Sequence, residues 1–254
     1  MKKFLYLTFL AAFFHVNANA QWTSVNIPHL DNSVLNDVEI VDANTIWAAT
    51  GYGGSLYSNN FIRTTNGGTS WIWDSITEAG TNAQFSSISP VDGNICYAAV
   101  YDNSLTNSGL YKTTDGGDTW KKTAGVFSSL SFPDWVHFFD ADHGVTLGDA
   151  DAGGNVEVYT TNDGGTTWTR VPDSNFPTPD GTIYSLTNCY AVVGSTIWSQ
   201  IVSSNGKVYV YRSDDKGIHW TSSTGFLVPG GNFSKLAFSD GLNGLIVGGS
   251  NISP

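Results

Sequence analysis

Five tryptophans, Trp22, Trp71, Trp120, Trp168 and Trp220, stand 49, 49, 48 and 52 residues apart, and the last four close variants of one nine-residue phrase. The phrases read RTTNGGTSW, KTTDGGDTW, TTNDGGTTW and RSDDKGIHW, the third having Thr160 where the others begin with a basic residue. Such self-similarity means one supersecondary unit repeated along the chain. A period near fifty is too long for helical-hairpin repeats and fits a unit of four short strands. Abundant glycine, with 13% aromatic residues, suits short strands joined by tight turns rather than disorder.

A second phrase precedes each of the first: Val41-Asp42-Ala43-Asn44-Thr45-Ile46-Trp47, Val91-Asp92-Gly93-Asn94-Ile95-Cys96-Tyr97 and Phe139-Asp140-Ala141-Asp142-His143-Gly144-Val145. It returns as Ser239-Asp240-Gly241-Leu242-Asn243-Gly244-Leu245, and in degraded form as Val193-Gly194-Ser195-Thr196-Ile197-Trp198. The polar knot reads as a turn and the apolar run after it as a buried strand. In the third unit this gives strand A from about Trp135 to Phe139, B from Gly144 to Gly148, C from Asn155 to Thr161, and D starting at Thr167. The tryptophan phrase is then the C–D hairpin turn. Its Asp or Asn accepts backbone N–H bonds, its Gly takes a conformation closed to other residues, and its Trp packs against the neighbouring unit.

The pattern T/S-x-D/N-x-G-x-x-W resembles the Asp-box, or BNR, repeat of sialidase-like β-propellers. The matching positions are Thr64, Asn66, Gly68 and Trp71; Thr113, Asp115, Gly117 and Trp120; Thr161, Asp163, Gly165 and Trp168; and Ser213, Asp215, Gly217 and Trp220. We therefore expect an all-β propeller of four-stranded antiparallel blades at about 29–75, 76–124, 125–172 and 173–224, with a partial fifth at 225–254 joined by an N-terminal strand at 21–27. The fifth unit offers strands A and B near 233–238 and 245–249 but no box before Pro254. Either Trp22 completes a three-stranded blade or, as we favour, the sequence is a fragment of a larger propeller. Because the box is shared by sialidases, xyloglucanases, sortilin-type receptors and photosystem assembly factors, it speaks to fold more than to function.

The first twenty residues combine Lys2 and Lys3, an apolar run from Phe4 to Phe14 and the Ala18-Asn19-Ala20 tripeptide, the pattern of a secretory signal peptide cleaved before Gln21. We expect a secreted or cell-surface protein with no membrane insertion after cleavage. Without the leader, nine basic residues face 22 acidic ones, a balance that disfavours nucleic acid and anionic lipid surfaces as partners. Cys96 and Cys189 fall in different blades and on different strands, so two buried free thiols are expected.

Propeller topology puts A–B and C–D turns on one face and the B–C and D–A loops on the other, so the box aspartates read as turn residues and a ligand is sought opposite them. Candidates there are Tyr52, Tyr101, Asp102, Trp135, Asp149, Asp151, Phe176 and Asp180, aromatics set beside carboxylates as in sites for a sugar or a peptide. Asp149 and Asp151 are weak catalytic candidates, paired across the face with Asp31 or Asp180. An inverting glycosidase of the xyloglucanase kind needs two carboxyls about 6.5–9.5 Å apart. The run Gly148-Asp149-Ala150-Asp151-Ala152-Gly153-Gly154 also raises Ca²⁺, but it lacks the third ligand of an EF-hand loop, and no metal or other cofactor is expected.

A sialidase is disfavoured. That family grips its substrate with three arginines and carries an F/Y-R-I-P motif absent here, whereas Arg63 and Arg212 precede boxes and Arg170 follows a box tryptophan. The leading expectation is a non-catalytic binding or assembly module resembling the photosystem-assembly-factor-like repeats, its partner a glycan or an extracellular protein. The alternative is a glycoside hydrolase of the same superfamily.

Overall fold

The computed structural model describes residues 24–25, 27, 34–51, 59–102, 104–179, 181–227 and 233–249. Four antiparallel sheets follow one another, each in sequential order. The first comprises β1 Val34–Ile40, β2 Ile46–Gly51, β3 Asn60–Thr64 and β4 Ile72–Ser75; the second β5 Ala83–Pro90, β6 Cys96–Asp102, β7 Gly109–Thr113 and β8 Lys121–Lys122. The third is β9 Pro133–Phe138, β10 Gly144–Ala150, β11 Val156–Thr161 and β12 Thr169–Arg170, and the fourth β13 Ile183–Val193, β14 Thr196–Ser203, β15 Val208–Ser213 and β16 Thr221–Ser222. A further pair, β17 Phe233–Phe238 and β18 Gly244–Gly249, stands where the fifth unit's A and B strands were expected. These are the blades of a β-propeller. The leader, Trp22 and most of the proposed N-terminal strand lie outside the described residues; Ser24, Val25 and Ile27 are described and are not in a strand.

Each box turn is built from the same bonds. The hydroxyls of Thr64, Thr113, Thr161 and Ser213 accept the N–H of Gly68, Gly117, Gly165 and Gly217 at 3.0, 2.9, 3.0 and 2.8 Å. The same hydroxyls donate to the side chains of Asn66, Asp115, Asp163 and Asp215, which in turn accept the N–H of Ser70, Thr119, Thr167 and His219 at 2.9 Å. In the A–B turns, Asp42, Asp92, Asp140 and Asp240 each accept two successive N–H groups. The two kinds of turn meet, since Gly67, Gly116 and Gly164 donate to Asn44, Asn94 and Asp142 carbonyls at 2.9 Å. Both therefore lie at one end of the strands.

Glycine is required at Gly117 for two reasons. Its φ is +97°, and a Cβ there would lie 2.2 Å from Cζ of Phe61 in the preceding blade. Trp120 from the same box stands edge-on to Phe61 and Trp47 of that blade, with ring centroids 5.6 and 6.4 Å away. Trp168 meets Phe138, itself stacked on Tyr97, and Trp220 joins Trp135, Val145 and Leu147. Each of these tryptophans thus fills the seam toward the blade before it. Burial of such large rings contributes adhesion between sheets that share no ladder.

The A strands are sheet edges at the centre of the ring, and edge donors left bare would be costly. Neighbouring blades satisfy several with side chains. Asp37 accepts Ile88 N–H at 2.8 Å, Ser87 and Ser89 accept Val136 and Phe138 N–H at 2.9 and 2.8 Å, and Asp149 accepts Ser185 N–H at 3.1 Å. A bulge in β13 between Ser185 and Tyr190 carries Asn188 toward Asn36 of β1 and Lys235 of β17. Cys96 and Cys189 are both buried and free.

Candidate functional site

Opposite the boxes, the starts of the A strands and the ends of the B strands converge. Tyr101, near the end of β6, stacks on Phe132 at 4.0 Å between centroids. The pair walls a hollow of about 240 Å³ whose rim carries Asn36, Gln84, Ser86 and Thr187. Ser86 Oγ is buried and without a hydrogen-bond partner, and Asn36 reaches across the rim to the Phe85 carbonyl at 3.0 Å. Amides and a hydroxyl beside a paired aromatic wall can hydrogen-bond and stack a ligand that brings no net charge.

The carboxyls of this end are handled differently. Asp134, the second residue of β9, is buried, its Oδ2 lacks a partner, and burial with the nearby Asp149 pushes its carboxyl well above the usual range. Burial also lifts Asp149, to about 6, against the opposing pull of the Ser185 N–H. Farther along β1, burial raises Asp37 in mid-strand and, toward the box end, Glu39 to about 7. Asp151 goes the other way. It accepts Gly153 N–H, pairs with Arg170 at 2.9 Å, and its carboxyl is lowered despite partial desolvation.

The expected residues do not all meet. Asp149 and Asp151 are bound to different partners, Ser185 of the next blade and Arg170 of their own, so they do not act as one acidic pair. Trp135, expected beside a loop, is fully buried in β9 with Nε1 donating to Ser199 Oγ at 3.1 Å. Phe176 is buried against Tyr211, with centroids 4.5 Å apart. Alternation turns Trp135 into the seam between the third and fourth blades, and Phe176, just after the 3-10 turn Asp173–Asn175, packs into the same cluster, so neither offers a face to a ligand. Asp102 is buried and occupied by Ser104 and Asn107 of the following turn, which lower its carboxyl. Tyr52, Asp180 and Asp31 lie outside the described residues. Among the described residues no group of three His, Cys, Asp or Glu side chains is placed to hold a metal ion.

Tyr101 is the candidate that lines the hollow, while Asn36, Gln84, Ser86 and Asp134 went unread. They sit at strand starts, where a polar residue looks like ordinary loop flank. The one available signal was polar residues at strand starts that recur from blade to blade.

No family model matches the chain. A xyloglucanase from Paenibacillus sp. is 27% identical over an alignment of 191 positions that covers 61% of this chain and 18% of that protein. Among solved structures, YCF48 bound to a D1 peptide matches with a TM-score of 0.54 at 16% identity, over 82% of this chain and 57% of that one. The fucose-specific lectin from Aleuria aurantia matches at 0.51 and 11%, over 80% and 65%. The chain spans under a fifth of the xyloglucanase and less than two thirds of either propeller. The likeness establishes the fold, a β-propeller.

Proposed function

We propose that this protein is a secreted or cell-surface binding module, without catalysis of its own, that takes a glycan or a polypeptide segment on the face opposite the boxes. The observation that carries this reading is the division of labour there. Asp149, Asp151 and Asp102 are occupied by backbone N–H groups, Arg170 or a neighbouring turn, while Asn36, Gln84, Ser86 and the Tyr101–Phe132 stack border an open hollow. Peptide binding by YCF48 and fucose specificity in the lectin support a ligand of either class for such a scaffold. The leader supports export, with Gln21 as the expected first residue of the mature chain by N-terminal sequencing of the exported protein.

The hydrolase reading has one observation in its favour. A carboxyl raised to about 6 beside a second, more deeply buried one is the environment of a general acid. Fluorogenic glycosides and xyloglucan oligosaccharides separate the two. Saturable binding that Tyr101→Ala or Gln84→Ala abolishes, without turnover, is the expected result. Turnover by the purified protein that disappears in Asp149→Asn would overturn it.

A further inference from the structure

On the box face, the seam between the third and fourth blades is built differently from the others. Elsewhere a cation on strand C lies over a ring on strand B and donates to a carbonyl of the next blade. Arg63 stands 5.3 Å over Trp47 and donates to Gly93; Lys112 stands 5.1 Å over Tyr97 and donates to Gly164; Arg212 stands 5.6 Å over Trp198 and donates to Gly241. In the third blade the same two positions are Thr160 and Val145, which are too short to cross the gap.

The fourth blade departs in step. Its A–B turn is the two-residue Gly194-Ser195, and its box carries Lys216 where the others have Gly67, Gly116 and Gly164. Lys216 nevertheless keeps the left-handed backbone, with φ of +58°, and its ammonium reaches back to Asp140 at 2.8 Å. The exchanges are linked. A Cβ on Gly116 would run into the Arg63 guanidinium, so at the first seam a side chain on the middle box residue and the strand C arginine exclude each other. Non-glycine residues held at positive φ concentrate where a site requires them.

What the exchange leaves is a cleft of about 420 Å³ bordered by Thr160, Asn162, Thr169, Ser195, Lys216 and Ile218. Its charged side chains already have partners. Lys216 and His143 both bond Asp140, and the Asp215 carboxylate is taken by Ser213 and His219. The side chains of Thr160, Asn162, Thr169 and Ser195 make no hydrogen bond among the described residues, and Ile218 is 46% exposed beside them. Free hydroxyls and an amide around an apolar patch, with each charged side chain already hydrogen-bonded, match a ligand having many hydroxyls and one C–H-rich face. We infer that this cleft is a second binding site, for a neutral saccharide of one or two rings, on the face opposite the site proposed above.

The test is titration calorimetry with saturation-transfer NMR on the full chain, using neutral hexoses, 6-deoxyhexoses, N-acetylhexosamines and pentoses and their disaccharides up to about 10 mM. Thr160→Arg combined with Lys216→Gly rebuilds the pattern of the other seams and fills the cleft. It is expected to keep Tm while weakening binding at least about tenfold. Ile218→Glu, at an exposed position, is expected to weaken binding to the same degree, and Ile72→Glu, at an exposed position of the first blade, to leave it unchanged. The proposal fails if no saccharide of the panel binds the wild-type chain, or if binding survives in both cleft variants. It also fails if Tyr101→Ala abolishes binding while the double variant retains it, a result that moves the sugar to the loop face and leaves the function proposed above standing.

Discussion

In the box turns, Asp115 and Asp163 are surrounded by donors, the N–H and hydroxyl of Thr119 and of Thr167, and their carboxyls are pulled down to about 2. At the inner strands the same chemistry has the opposite outcome, with burial lifting Asp149 to about 6 and Glu39 to about 7. The difference lies in how many donors accompany a carboxyl out of water. The turns surround it with hydrogen bonds while leaving it in solvent, so ionisation is favoured. The inner strands remove solvent and return one donor at Asp149 and none at Glu39, so the neutral form gains. Repetition in sequence tracks the first environment, and candidate chemistry belongs to the second.

The largest effect that sharpens this contrast is expected from Gly117→Ala. Positive φ and the clash with Phe61 together cost about 3 kcal/mol or more in urea denaturation. Gly154→Ala on the loop face has φ of +82° but open space around it, and costs about 1 kcal/mol. Equal losses would mean that contact across the seam contributes nothing. Thr113→Val comes next. It removes the acceptor for Gly117 N–H and a donor to Asp115, costing about 1–2 kcal/mol, and an NMR titration should show the Asp115 carboxyl rising from about 2.

The pH dependence follows from the signs. Glu39 has a folded value of about 7 against an ordinary 4.5, so between these the folded chain holds the extra proton and stability declines as pH rises through the window. The box carboxylates act oppositely, their contribution being lost as pH falls toward 2. Tm should therefore be higher at pH 5 than at pH 8, and Glu39→Gln should flatten that slope; a slope unchanged in the variant breaks the contrast. The smallest effect is expected from Asp149→Asn, whose amide oxygen can still accept Ser185 N–H. Thermal melts should show little change at pH 5 and a slightly gentler decline from there to pH 7.

The turns could be read from sequence because their chemistry is local. Thr113, Asp115, Gly117 and Thr119 satisfy one another within seven residues, so spacing alone encodes the structure. The strands of the third blade likewise fell within a few residues of their expected bounds. The inner end was harder. Whether Trp135 faces solvent or the seam depends on Ser199 of the next blade, and the unusual state of Asp134 depends on Asp149 and on total burial. No local pattern records such pairings. Thr160, noticed as a lapse in the repeat, carries meaning once Gly194-Ser195 and Lys216 are seen beside it.

The inner clasps bear on how such a ring can be altered. Asp37 spans the first seam, Ser87 and Ser89 the second, and Asp149 the third, with donor and acceptor always on successive blades. Although the blades share one plan, their joints are not interchangeable. A blade moved to another position would meet the wrong partner at its innermost edge, so the order of repeats is written into side chains that the repeat itself does not contain.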